Sequence, residues 1–171
     1  MARAARRVVT GHDASGKSVI LSDGPPPQNH PMQGRSVGAD FIEMWNTIAA
    51  PAPISLREPE PNERPFRMMP APGGLIRLID IYPLSQRGQR TVMHRTKTID
   101  CVVVIEGELT LLLDDGSETT LHPSDVVIQR GTNHAWENRG ASVCRAVFMH
   151  FEGEFAPELR ARLPEKLDLM T

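Results

Sequence analysis

The sequence predicts an all-β protein, an antiparallel sandwich or barrel, on three observations. From Leu75 onward it is made of short β-branched or leucine-rich runs: "LIRLIDIYP", "DCVVVIEGELTLLLDDG", "SETTLHPSDVVIQRG" and "SVCRAVFMHFEG". Asp115-Gly116, His122-Pro123 and Arg130-Gly131 punctuate those runs at turn-like spacing. No clear helical period separates them, and strands of that length in succession close on themselves or pack face to face.

Before Leu75 the elements are less regular. "RRVVTGHDASGKSVILSDG" reads as two β-rich arms around His12-Asp13-Ala14-Ser15-Gly16, a hairpin ahead of the barrel region. "PPPQNHP", Pro25 to Pro31, reads as an irregular connector, because proline has no N–H to give a ladder. "DFIEMWNTI" fits a strand or a short helix by period alone, with Phe41 and Trp45 favouring strand. A second proline-rich stretch, Pro51 to Pro72, is too long for a turn and is expected to wrap the surface or close one barrel mouth. In the tail "APELRARLPEKLDLM", Pro157 and Pro164 restrict helix-friendly residues to short turns.

Composition narrows the function. A chain of 171 residues with 40% hydrophobic content has material for one sizeable core. A net charge of −2 provides no electrostatic case for nucleic acid or anionic membrane as partner. "MARAARR" is a short basic start with no apolar stretch behind it, and no window reaches the roughly 18 to 20 apolar residues that span a bilayer. Cys101 and Cys144 lie in apolar runs and read as reduced thiols of a cytoplasmic protein.

One constellation carries chemistry: Gly88-x5-His94-x-Thr96-x3-Asp100-x6-Gly107, followed by His134-x3-Asn138. His94 and His134 offer neutral nitrogen donors and Asp100 an anionic oxygen, a set that iron, manganese, nickel or zinc takes up as a divalent ion. These residues resemble the cupin superfamily, whose first motif reads G-x5-H-x-H-x3,4-E-x6-G. Gly88, His94 and Gly107 match it, Thr96 stands for the second His, and Asp100 stands for the Glu. The second motif, G-x5-P-x-G-x2-H-x3-N, is met by "SDVVIQRGTNHAWEN": Ser124 stands for the first Gly and Arg130 for the Pro, in a loop one residue shorter, and Gly131, His134 and Asn138 fit. The resemblance spans roughly residues 75 to 151. It implies a single-domain antiparallel jelly-roll β-barrel at 75–155, with an N-terminal β-arm and proline-rich segments at 1–74 and a tail at 156–171, and it implies a metal held by His94, Asp100 and His134.

Strand alternation orients that set. If Asp100 faces inward, Val102 and Val104 share its side while Cys101, Val103 and Ile105 face away, so the carboxylate enters an apolar interior. His134, Trp136 and Asn138 share a face, which sets an indole beside the metal position. A carboxylate and two imidazoles are each costly to bury alone, and a cation offsets that cost. Each residue also has a plainer reading: His94 as a surface residue after Arg87 and Arg90, Asp100 as a turn cap, Thr96 as a strand residue hydrogen-bonded locally, His122 as a turn residue, and Asn138 as the fixture of a strand end. His12 and His150 read as solvated or hydrogen-bonded, and His30 as part of a connector. Arg77 and Asp80 lie on opposite strand faces, and whichever looks inward is a candidate for holding an anionic or hydroxylated ligand. Thr96, Trp136 and Arg77 are thus the candidate substrate-binding residues.

Two classes of function follow. In a mononuclear metalloenzyme, two His and one carboxylate leave about three positions open on an octahedral ion, room for a bidentate small-molecule substrate undergoing dioxygenation, decarboxylation or isomerisation. In a non-catalytic ligand-binding barrel, Thr96 marks relaxed chemistry. A transcription regulator is disfavoured because no separate DNA-binding sequence is present. A metal-free sugar epimerase is disfavoured because no His/Asp base pair is found beyond the residues already assigned. Unpaired edge strands invite association, and a homodimer is expected in which the arm from about Arg6 to Leu21 packs on or exchanges with the partner barrel.

Overall fold

The computed structural model describes residues 4–31, 38–56, 60–64, 66–69, 72–167 and 169–170. The first three residues of the basic start, and Pro59, Pro65 and Pro70 of the proline-rich stretch, lie outside them. Eleven strands follow one another: β1 Arg7–His12, β2 Ser18–Gly24, β3 Gln28–Pro31, β4 Ala39–Asn46, β5 Gly74–Ile81, β6 Thr98–Glu106, β7 Leu109–Leu113, β8 Glu118–Leu121, β9 Val126–Arg130, β10 His134–Glu137 and β11 Cys144–Glu152. A four-residue helix α1, Pro157–Arg160, starts on the proline that the tail composition placed there.

The strands form antiparallel sheets in a jelly roll. One sheet has the order β3-β4-β5-β11-β6-β9, a second has β10-β7-β8, and β1-β2 is a separate hairpin. Ile79, Ile81, Val102, Val104 and Phe148 of the large sheet pack against Leu109, Leu111, Leu121 and Trp136 of the small one. This face-to-face burial is the driving force of the fold. The predicted alternation on β6 holds: Asp100, Val102 and Val104 are buried, while Ile105 is exposed and Cys101 and Val103 are half-buried.

One segment differs from expectation. Gln28–Pro31 is not an irregular connector but an edge strand paired with β4, Pro31 opposite Asp40. An edge needs ladder hydrogen bonds on one side only, and a proline at its last residue removes none that the sheet requires.

Both glycines of the first motif are explained by close approach. A Cβ on Gly88 would lie 1.9 Å from the Tyr82 carbonyl oxygen, and one on Gly107, whose φ is +76°, would lie 2.7 Å from the Val143 carbonyl oxygen.

Candidate functional site

His94 and His134 are brought together by the backbone. They form a two-residue antiparallel bridge in which each amide N–H donates to the other's carbonyl at 2.9 Å, so both imidazoles project from one patch with ring centroids 4.2 Å apart. His94 Nδ1 donates to the Val92 carbonyl at 2.8 Å, and His134 Nδ1 donates to the Thr132 carbonyl at 3.0 Å. A carbonyl oxygen only accepts, so the proton of each neutral ring sits on Nδ1 and the lone pair on Nε2. Burial holds the His94 pKa below the ordinary histidine range, and burial together with the neighbouring His94 pushes His134 down to about 4. Both rings are therefore neutral near pH 7, the form that binds a metal.

Asp100 sits at the centre of a row across three strands. Its partner on β11 is His150 and its partner on β9 is Gln129. His150 Nδ1 donates to Asp100 Oδ1 at 2.8 Å, and the Thr96 hydroxyl donates to Oδ2 at 3.0 Å. Burial alone would raise the Asp100 pKa, but the His150 bond and charge outweigh it and hold the carboxyl below its usual range. Gln129 lies between the two sets: its amide nitrogen is 3.4 Å from Asp100 Oδ2, and 2.8 and 3.1 Å from His134 Nδ1 and Nε2. An amide hydrogen serves Asp100 Oδ2, and the nitrogen, close to both ring nitrogens of His134, packs against that ring. Among the described residues, no three His, Cys, Asp or Glu side chains are closed at ligating distance. The Gln129 amide occupies the gap between two of the candidates.

Around this polar end the cavity is apolar. All six predicted site residues line it, as do Met68, Met69 and Phe148, and its volume is about 90 Å³. That is small against the 300 to 1,000 Å³ typical of drug-sized ligands, so the site suits a compact substrate. Trp136 stands edge-on to His134 at 5.8 Å and to Phe148 at 5.7 Å, walling the imidazole pair as its alternation predicted.

Arg77, not Asp80, is the inward residue, only 1% exposed. Its guanidinium is already committed: it donates to Glu43 at 3.3 Å and to the Met68 and Arg67 carbonyls, and it lies over the Phe66 and Phe41 rings. Only Nε is without a partner. Arg77 therefore fastens the Phe66–Met69 part of the proline-rich segment, whose Met68 and Met69 line the cavity.

Sequence reasoning missed Gln129. His150 is hydrogen-bonded, as one of its two readings had it, and buried. It forms a His/carboxylate pair with Asp100, a residue already assigned to the metal set. Alternation places His150 on the face of Ala146 and Phe148, a signal present in the sequence. Asn138 does fix a strand end: its amide donates to the Ile81 and Ser142 carbonyls at 2.9 and 2.8 Å. Cys101 and Cys144 are free thiols, and burial pushes that of Cys144 up to about 12.

Residues 84–150 match the Cupin domain family. Phomopsin biosynthesis cluster protein C' of Diaporthe leptostromiformis is 35% identical over 159 residues, 89% of this chain and 80% of that protein. The chain belongs to the cupin superfamily. A cupin-domain-containing oxidoreductase of Aspergillus ruber is 32% identical over 77% of this chain, and the match spans 63% of that protein's length. Among solved structures, a Salmonella typhimurium chain named for ethanolamine utilization (protein Q) shares this cupin fold at 10% identity, with a TM-score of 0.50 over 90% of this chain and all of that one. No helix among the described residues is long and apolar enough to cross a membrane.

Proposed function

We propose that this cupin is a small-molecule enzyme that holds one divalent metal, iron, manganese, nickel or zinc, through His94, Asp100 and His134. The observation that carries the reading is Gln129: its buried amide nitrogen lies 3.4 Å from Asp100 Oδ2 and against the His134 ring, 2.8 and 3.1 Å from its two nitrogens, so two of the three donors meet at one side chain. The Gln129 carbonyl oxygen beside them is buried with no partner, which suits a cation at that point. Neutral imidazoles and an ionised carboxylate form a donor set for a first-row divalent ion. Such an ion would supply Lewis acidity and open positions for a chelating oxygenated acid.

The chain's own groups bind and orient. The Val92 and Thr132 carbonyls hold the His94 and His134 rings with Nε2 presented, and His150 and Thr96 hold the Asp100 carboxylate. Trp136, Phe148 and the segment fastened by Arg77 exclude water and fit an apolar substrate body whose oxygenated head meets the histidines. Among dioxygenation, decarboxylation and isomerisation, the name of the Aspergillus ruber oxidoreductase favours the first.

His94→Ala and His134→Ala proteins, purified without a nickel column, are each expected to carry at least about tenfold less metal than wild type by elemental analysis. Full retention in both would overturn the assignment and favour the non-catalytic, ligand-binding reading.

The β-arm is proposed to pair two copies. β1-β2 is apart from both barrel sheets, and Val8, Ile20 and Leu21 on it are exposed. Light scattering should give a dimer mass for the full chain and a monomer mass after deletion of Arg6 to Leu21. A monomer in both preparations would contradict it.

A further inference from the structure

We propose that Gln129 supplies a fourth, oxygen donor to the metal beside His94, Asp100 and His134; the inference rests on the metal reading above. Thr96 itself is committed, since its hydroxyl donates to Asp100 Oδ2 at 3.0 Å. Gln129 is 3% exposed and directly opposite Asp100 in the β6-β9 register. Its neighbours make that orientation informative. On β9, Val126 and Ile128 are exposed and Gln129 is buried, the reverse of what burial of apolar area alone would select.

The amide is half satisfied. Its nitrogen donates to Asp100 Oδ2 and lies against the His134 ring, while Oε1 has no hydrogen-bond partner. A buried carbonyl oxygen left unpaired is destabilising, and native structures hold few of them. The last torsion of a Gln side chain is broad and roughly two-fold, so nitrogen and oxygen exchange places by a simple rotation. With no cation present, an amide hydrogen is given to the Asp100 carboxylate and the amide covers the His134 ring. When a cation enters, rotation turns Oε1 to it, and the orphaned oxygen gains a partner. One side chain thereby satisfies the site in both states. The carbonyl oxygen also makes the donor set harder than one completed by imidazole, which favours manganese or iron over softer ions.

The test is Co(II) titration of full-length wild-type, Gln129→Leu and Gln129→Glu proteins, following the cobalt d–d absorption and measuring affinity by chelator competition. Wild type should bind one Co(II). Gln129→Leu should bind it at least about tenfold more weakly and with an altered d–d spectrum, because an oxygen donor is gone. Gln129→Glu, which keeps an oxygen and adds charge, should bind at least as tightly as wild type. Equal or tighter binding by Gln129→Leu with an unchanged spectrum would overturn the proposal while leaving the metal reading intact. If Gln129→Leu does not fold, weaker binding by Gln129→Glu than by wild type overturns it instead. No Co(II) uptake by wild type would overturn both readings together.

Discussion

Replacing Arg77 with methionine is expected to destabilise the protein by about 3 to 5 kcal/mol, the range for breaking a buried ion pair by removing one partner. The pair is deep: Arg77 is 1% and Glu43 2% exposed, and the Arg77 Nη2 to Glu43 Oε2 distance is 3.3 Å. Burial pulls the guanidinium pKa below the ordinary arginine range while Glu43 opposes the shift. Loss of the guanidinium removes the cationic partner of Glu43, whose Oε1 still accepts from the Asn46 amide at 2.5 Å, and removes the Arg77 bonds to the Met68 and Arg67 carbonyls. The cavity mouth should open at the same time. Urea unfolding measures the first effect, and faster protease cleavage between residues 60 and 72 measures the second. The double variant Arg77→Met, Glu43→Leu leaves no buried charge and should recover more than half of the loss. An Arg77→Met protein within about 1 kcal/mol of wild type would show that the pair is not what holds the segment.

Thr96→His should tighten metal binding by about tenfold or more while weakening substrate binding or turnover, because the new imidazole fills a position that a bidentate substrate would use. Thr96 and His94 both line the cavity, and Thr96 is 2% exposed, so the larger side chain meets the site and not solvent. Extra volume at a buried position costs about 1 to 3 kcal/mol of stability, less than a well-folded domain of this size needs to remain folded. Thr96→Val is the control. It keeps the shape, removes the hydroxyl's bond to Asp100 Oδ2, and should leave metal affinity within a few-fold of wild type. Unchanged affinity in Thr96→His would mean that no open coordination position faces residue 96.

Much of the fold was legible because it rests on local signals. The inward set of Asp100, Val102 and Val104 follows from period-two alternation, and the motif glycines mark where Tyr82 and Val143 carbonyls pass too close for a side chain. β3 was hidden because its proline and polar residues have low strand propensity, and pairing with β4 makes it a strand. At the site, His94, Asp100 and His134 were legible through spacing. Gln129 was not, since β9 buries its polar residue and exposes Val126 and Ile128, the inverse of the usual pattern. His150 lay on the correct face by alternation. Its role needed the register between β11 and β6, a contact 50 residues apart in the chain, which no local pattern encodes. Which of Arg77 and Asp80 faces inward was open by alternation; Arg77 does, with its charge matched by Glu43.

Anomalous X-ray diffraction from crystals of the protein loaded with manganese should reveal a single metal held between His94, Asp100 and His134. One strong anomalous peak per chain is expected, within about 2.0 to 2.4 Å of His94 Nε2, His134 Nε2 and an Asp100 oxygen. A loaded crystal with no peak at that point, and with Gln129 still bridging His134 and Asp100, would contradict the metal assignment.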